Sequence, residues 1–367
     1  MAAESLPEPL SITLRNVKQH RELTVDLSGR LVVLVGPNGV GKSTVLKALR
    51  AVGELHNPSK EGVGYPHRLA QVLGASEITN SAAELRLIRS WLAPTGPASI
   101  DVGFTDGLLH LELATEMGLS ALMPPGYSQL SQKHDMAGFD ARARSPHVRA
   151  LKASYLQPEF SALSSPSRVE ATTLGPRGEN LASVIAQFAL RYRKEHQAVL
   201  EALQTIVPQV TFVGAATEAV TDERTSFQAH ELELEFGENV RVRGRDVSEG
   251  TLIALAVLAL AHHSPGVRYV LLDDIDRGLH PLAQKALVEQ LRGVLAARPD
   301  LKIICTSHSP YLVEHFDASE VRVLGRKKNG DTVCKRLDQH PEWQKYKEHL
   351  DTGSYWASVG EEWVGQD

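Results

Sequence analysis

Apolar and polar positions divide the chain into a strand-rich start, an irregular middle, and a later part where strands and helices alternate. Ile12 to Val17 and Leu23 to Leu27 read as two short strands. Leu31 to Val35 is apolar at every position, as expected of a strand covered on both faces of a sheet. A glycine-rich stretch follows, and Ser43 to Val52 reads as a helix. Thr79-Asn80-Ser81 with Glu84 makes a capping-box pattern that predicts a helix through Trp91, stopped by Pro94. Ser99 to Phe104 and Leu108 to Thr115 predict a hairpin around Asp106-Gly107. Residues 116–148 read as loop, Lys152 to Leu156 as a strand, and the polar run Ser161 to Gly178 as the flexible segment. Asn180 is expected to cap one long helix from Leu181 to Val207, ended by Pro208.

Sheet returns at Val210, with period-two alternation from Glu231 to Phe236. Ser248 opens a helix apolar on every side, which must therefore be buried. Val267 to Leu272 and Lys302 to Thr306 read as buried strands separated by a helix from Pro281 to Ala297. The β-α-β-α order predicts an α/β fold: a mainly parallel sheet flanked by helices, with an antiparallel β subdomain and an irregular insert.

Two of these strands deliver chemistry. Gly36-Pro37-Asn38-Gly39-Val40-Gly41-Lys42-Ser43-Thr44 fits G-x-x-x-x-G-K-[ST] between a buried strand and a helix. Small residues let successive backbone N–H groups turn onto phosphate oxygens. Lys42 places a point charge at the β and γ phosphates, Ser43 completes a magnesium shell, and the helix start adds its positive end. ATP and Mg2+ are the expected cofactors, with Gly36, Asn38, Gly39, Gly41, Lys42, Ser43 and Thr44 around the nucleotide. The strand Tyr269 to Leu272 ends in Asp273-Asp274. A carboxylate at the tip of a buried strand is costly unless it meets a cation, so Asp273 is the expected magnesium holder. Asp274 is the candidate general base toward the attacking water; alternatively, Asp274 or Asp276 caps the following turn. Ser248, ahead of the buried helix, reads as an ordinary N-cap or as a second anion site.

The ordered set GPNGVGKST, VSEGT, LLDDIDRGLHP and CTSHSP resembles the ABC-type ATPases. Within them it is similar to RecF and structural-maintenance-of-chromosomes (SMC) heads and their AAA-type relatives, including stand-alone ATPases of Septu-type antiphage systems. The resemblance covers most of the chain. It implies a P-loop NTPase with an ABC-type head, in which Ser248 and Gly250 of one subunit reach the γ-phosphate held by another. His308 matches the switch histidine near the γ-phosphate and attacking water, and Asp276 to His280 the D-loop at the dimer interface. Gln157 is the candidate magnesium-sensing Q-loop glutamine, with Gln129 and Gln132 as alternatives. Residues 1–367 then form one ATPase domain, with 56–178 as an insert and 320–367 as a C-terminal extension. Two departures stand out: Asp274 occupies the usual glutamate position, implying slow hydrolysis, and Glu249 a usual glycine.

The interval from Lys42 to Ser248, 206 positions, is long for a transporter subunit, and no heptad array marks a full chromosome-scale protein. The expected function is an ATP-dependent homodimer or higher oligomer that switches a nuclease or effector partner in antiphage defence. The alternatives are a RecF-like clamp on DNA and a binding module that does not hydrolyse. The formal charge of −5 gives no global pull toward nucleic acid, so DNA contact must be local. Arg241, Arg243 and Arg245, or Arg142, Arg144, Arg149 and Lys152, are candidate phosphate-tracking clusters or solvated faces. Two cysteines, Cys305 and Cys334, exclude a disulfide framework. The longest apolar run, Leu252 to Ala261, is about half a membrane span, and no signal peptide is legible at the start, so a cytoplasmic protein without membrane contact is expected. The tryptophan-rich tail from Trp343 to Trp363 is expected to pack on the core or dock a partner.

Overall fold

The computed structural model describes residues 6–54, 98–114, 118–122, 146–221, 226–237 and 240–366. The predicted helix up to Trp91, Gln129, Gln132, Arg142 and Arg144 lie outside them. The chain forms two compact units, residues 1–153 with 317–367, and residues 154–316.

The first unit begins with β1 (Pro9–Val17), β2 (His20–Asp26), β3 (Leu31–Val35), α1 (Lys42–Glu54), β4 (Ala98–Phe104), β5 (Gly107–Ala114), β6 (Gly118–Leu122) and α2 (Pro146–Ala150). An antiparallel sheet runs in the order β2-β1-β4-β5-β6. Ile12 pairs with Val25 and Leu14 with Leu23, and all four are buried, so one face of this ribbon is apolar. The β4–β5 hairpin turns through Thr105 and Asp106, closing on the Phe104–Gly107 pair. Both β6 and α2 fall in the stretch read as loop. At five residues each, they are too short to show a period.

The second unit follows with β7 (Ala153–Leu156), α3 (Phe160–Leu163), β8 (Ser167–Arg168), α4 (Leu181–Arg191), α5 (Arg193–Ile206), β9 (Val210–Thr221), β10 (Ser226–Phe236), β11 (Val240–Arg243), α6 (Glu249–His262), β12 (Tyr269–Leu272), α7 (Pro281–Ala297), β13 (Lys302–Thr306) and α8 (Pro310–Val313). β12 and β13 are parallel, with Leu272 beside Cys305, and every residue of both strands is buried. Helix α6 is buried all the way from Gly250 to Ala261, packed by α3, α5, α7 and β12. β10 carries β9 along one edge and β8 and β11 along the other, an antiparallel subdomain.

Two expectations in this unit need correction. The single helix from Leu181 to Val207 is broken at Tyr192, whose φ of −125° and ψ of 57° leave the helical region. The Tyr192 ring packs on His263, with centroids 4.1 Å apart, and that contact rewards the break. Asn180 precedes α4 but makes no side-chain cap; its φ is 72° and its amide donates to the Thr173 carbonyl instead. The polar run 161–178 also holds the end of α3 and all of β8. Its polarity is met internally: the Ser167 and Ser183 hydroxyls lie 2.8 Å apart, both buried.

The chain then re-enters the first unit with β14 (Val321–Arg326), β15 (Thr332–Arg336), α9 (Trp343–Tyr346) and α10 (Thr352–Val359). β14 lies parallel to β3, pairing Val321 with Val33 and Val323 with Val35, and antiparallel to β15. Arg322 is fully buried, and its guanidinium donates to the carbonyls of Asp26, Ser28 and Ser319. That arrangement pins the end of β2 to the start of β14. In the tail, Trp356 and Val364 are buried and Gly325 of β14 abuts Glu361 and Val364. The tail packs on its own unit. Each unit combines a parallel strand pair, helices and antiparallel strands, so the fold class is α/β. Among the described residues no helix is long and apolar enough to cross a membrane.

Candidate active site

The glycine loop leaves the buried strand β3 and opens α1. Its three glycines have left-handed backbones, with φ of 141° at Gly36, 72° at Gly39 and 104° at Gly41. Two of them also lack room for a side chain: a Cβ at Gly36 would strike the Leu324 carbonyl, and one at Gly41 the side chains of Gln19 and His20. Lys42 is buried, and its Nζ donates to the carbonyls of Gly36 (2.8 Å) and Pro37 (3.3 Å) across the loop. Ser43 is half-buried and Thr44 buried, the latter accepting a bond from Gln19 Nε2 at 3.4 Å. Asn38 and Gly39 form the exposed tip, where Arg326 donates to the Gly39 carbonyl at 2.9 Å. His20, wholly buried behind Gly41, has no hydrogen-bond partner on either ring nitrogen. Burial pushes its pKa down to about 4, helped by the charges of Arg326 and Lys18 and opposed by the nearby Gly41 backbone.

In the second unit, Asp273 ends β12 with no exposed surface. Its Oδ1 accepts from the Thr306 hydroxyl at 2.6 Å and its Oδ2 from the Tyr155 hydroxyl at 3.0 Å. Asp274 turns the chain away from the strand with φ of 54°, a conformation that aspartate tolerates better than longer side chains. Its backbone N–H donates to Thr306 Oγ1 at 2.8 Å, so one threonine at the tip of β13 holds the Asp273 carboxylate and the Asp274 backbone. Burial and the neighbouring Asp273 charge raise the Asp274 pKa; His308 opposes them, with Nε2 4.0 Å from Asp274 Oδ1. The His308 backbone N–H lies 3.4 Å from Asp276 Oδ1, so Asp276 braces the histidine loop. Gln157 sits just past β7, with its Oε1 3.2 Å from the Tyr155 hydroxyl and its N–H on the Pro176 carbonyl. Asp273, Asp274, His308 and Gln157 therefore converge on one cluster.

Ser248 caps its own helix: its Oγ accepts from the Thr251 N–H at 3.3 Å and lies 2.7 Å from the Thr251 hydroxyl. Gly250 is packed so closely on the Gly278 carbonyl that no Cβ fits, and Glu249 pairs with Arg277 at 3.0 Å. The stretch from Asp276 to Gly278 thus touches the start of α6 at one end and the histidine loop at the other. The alternating arginines do not form a bare basic stripe. Arg241 meets Glu235, Arg243 meets Glu218 and Glu231, and Arg245 lies near Glu231 and Asp246.

Sequence reasoning missed four participants: Gln19, His20, Tyr155 and Thr306. Thr306 had a visible signal, as the polar end of a buried strand two residues before His308. The other three are recognised only by what they touch.

A family described as "AAA domain, putative AbiEii toxin, Type IV TA system" matches residues 143–314, and one described as "AAA domain" matches residues 11–57. No curated protein matches the chain in sequence. Among solved structures, the chain is similar to an Smc head bound to the C-winged helix domain of ScpA. The TM-score is 0.58 at 15% identity, covering 90% of this chain and 97% of that one. An Smc head with an extended coiled coil, bound to the C-terminal domain of ScpA, from Pyrococcus furiosus, gives 0.56 at 13% identity, covering 94% of this chain and 100% of that one. An Smc head with a coiled coil and joint from Pyrococcus yayanosii gives 0.53 at 10%, covering 94% and 99%. At these identities the likeness is one of fold.

Proposed function

On the premise that this chain has the ABC-type, SMC-like ATPase head fold, we propose that it binds and slowly hydrolyses ATP with Mg2+, dimerises on the nucleotide, and uses that cycle to switch a protein partner. The observation that carries this reading is the glycine loop: three left-handed glycines between a buried strand and a helix, with a buried lysine spanning the loop. Such a loop presents N–H groups and one positive charge to phosphates. Mg2+ takes hard oxygen donors; Asp273, buried and held by two hydroxyls, would suit that role, and the Gln157 amide oxygen and the Ser43 hydroxyl would each offer a further donor of the same kind. When bound, the ion would neutralise phosphate charge. Asp274, with its raised pKa, would accept a proton from the attacking water, and His308 would orient that water. In the dimer, Ser248 and Gly250 would face the nucleotide held by the other copy.

The partner is proposed to be an effector such as a nuclease, in defence. A family description that names a toxin system supports that context, and two of the similar heads are bound to part of another protein. A DNA-clamping role has less support, because the central arginines are already paired with carboxylates.

Phosphate release by wild type should exceed that of Lys42→Ala clearly; equal rates would reject hydrolysis. One observation favours ATP acting as structural glue instead: Asp274 is a methylene shorter than glutamate, and misplacement by about 1 Å can cost about 10²-fold in rate. Asp274→Glu is expected to raise turnover, and an unchanged or lower rate would remove the argument for slow hydrolysis.

A further inference from the structure

Arg326 ends β14, and the parallel register of that strand carries it to the nucleotide loop. Val323 stands beside Val35, the last residue of β3, so Arg326, three residues further on, runs level with the loop that leaves β3. Its Nη2 donates to the Gly39 carbonyl at 2.9 Å and its Nη1 to the Gly330 carbonyl at 3.4 Å. The strand end that carries it is closely packed. A Cβ at Gly36 would strike the Leu324 carbonyl, one at Gly325 the Glu361 carbonyl, and one at Gly365 the carbonyl of Arg326 itself. The backbone of Arg326 is thus held on both sides, while its side chain reaches into solvent at the loop tip.

Two features set this arginine apart. Among the described residues it has no carboxylate partner, whereas Arg15 meets Glu22, Arg322 meets Asp26 and Arg336 meets Asp338. Asp331, the carboxylate of the same turn, lies 3.4 Å from Arg21 instead. Lys327 and Lys328 follow in sequence, and the charges of both Arg326 and Lys18 are felt at His20 behind the loop. Positive charge at this edge of the loop is therefore not neutralised. The second feature is the acceptor. Gly39 is exposed, has φ of 72°, and has nothing within 4 Å of where a Cβ would stand, so packing does not fix its peptide plane. A carbonyl oxygen turned toward phosphates would repel them, and one committed to a guanidinium cannot turn. A guanidinium carries five N–H donors; two are used here, and three remain for an anion.

We propose that Arg326 is a positioning residue for a nucleotide polyphosphate: it keeps the Gly39 carbonyl out of the phosphate cradle and adds a second positive charge to that of Lys42. This rests on the ATP-binding reading above and adds to it a residue that lies in none of its motifs.

The test is equilibrium binding of fluorescent ATP to the full chain at low and high salt. Arg326→Met keeps the stem and removes both the donors and the charge. It is expected to weaken binding about tenfold at low salt, the worth of one hydrogen bond from a charged donor. Arg326→Lys, which keeps the charge and one donor group, should recover part of that loss. Salt should weaken wild-type binding more steeply than binding by Arg326→Met, because screening removes an attraction that the variant already lacks. Wild-type affinity in Arg326→Met would overturn the proposal. So would a loss that Arg326→Lys does not reduce and salt does not narrow, since that pattern belongs to packing alone. Should Arg326→Met not fold, Arg326→Gln removes the charge and keeps a donor, and a wild-type salt dependence there would be equally fatal. A wild-type chain that binds no ATP would defeat the nucleotide reading itself, and this inference with it.

Discussion

His20 shows how much a single side chain can load onto the nucleotide loop. Its imidazole fills the space behind Gly41 without a hydrogen bond, so it is kept neutral in the folded chain down to about pH 4. Once unfolded, it takes up a proton near pH 6.5. Below that pH the unfolded chain binds more protons, and acid favours it. Between pH 6.5 and 4 this residue alone should remove on the order of 3 kcal/mol of stability. Chemical denaturation of wild type and His20→Phe across that range checks the point. The variant should lose less stability on acidification, whereas parallel curves would show that His20 is not buried neutral. At the same scale, the φ of 54° at Asp274 makes aspartate the better fit for this turn, which gives its presence a backbone reason as well as a chemical one.

At the scale of elements, one tight junction lies between α6 and the turn after β12. Gly250 and Gly278 meet backbone to backbone, and Glu249–Arg277 bridges the same junction. Gly250→Ala must push the two apart, at a cost on the order of 1–3 kcal/mol. It should also lower hydrolysis more than it lowers nucleotide binding, because the turn that moves carries Asp276, which braces His308. Thermal melts and steady-state rates would read both effects; a variant with wild-type melting would show that the contact is loose. Elements of this kind differ in how far the sequence reveals them. The buried strands β3, β12 and β13 and the wholly apolar α6 were legible because continuous apolar runs leave no other reading. The glycine loop and the paired aspartates were legible because their chemistry constrains spacing. β6, α2, α3 and β8 were not, since pieces of two to five residues carry no period. The break at Tyr192 was hidden for another reason: helix propensity is local, while the aromatic contact with His263 joins positions some 70 residues apart. Tyr155 was missed because a tyrosine on a short strand looks like core until its hydroxyl is seen beside Asp273 and Gln157.

For the whole molecule, the order in which the chain visits its two units sets the order of events. The first unit opens the sequence but is finished only when β14 arrives beside β3, nearly 290 residues later. Leu324 walls the glycine loop at Gly36 and Arg326 tethers its tip at Gly39, so the loop takes its final form only with those residues present. A contact of such separation forms late, because closing a long stretch of chain is entropically costly. A chain still being synthesised would therefore hold every residue of the second unit before its glycine loop could take its final form. A nascent chain ending short of Leu324 has a glycine loop with neither the wall at Gly36 nor the tether at Gly39.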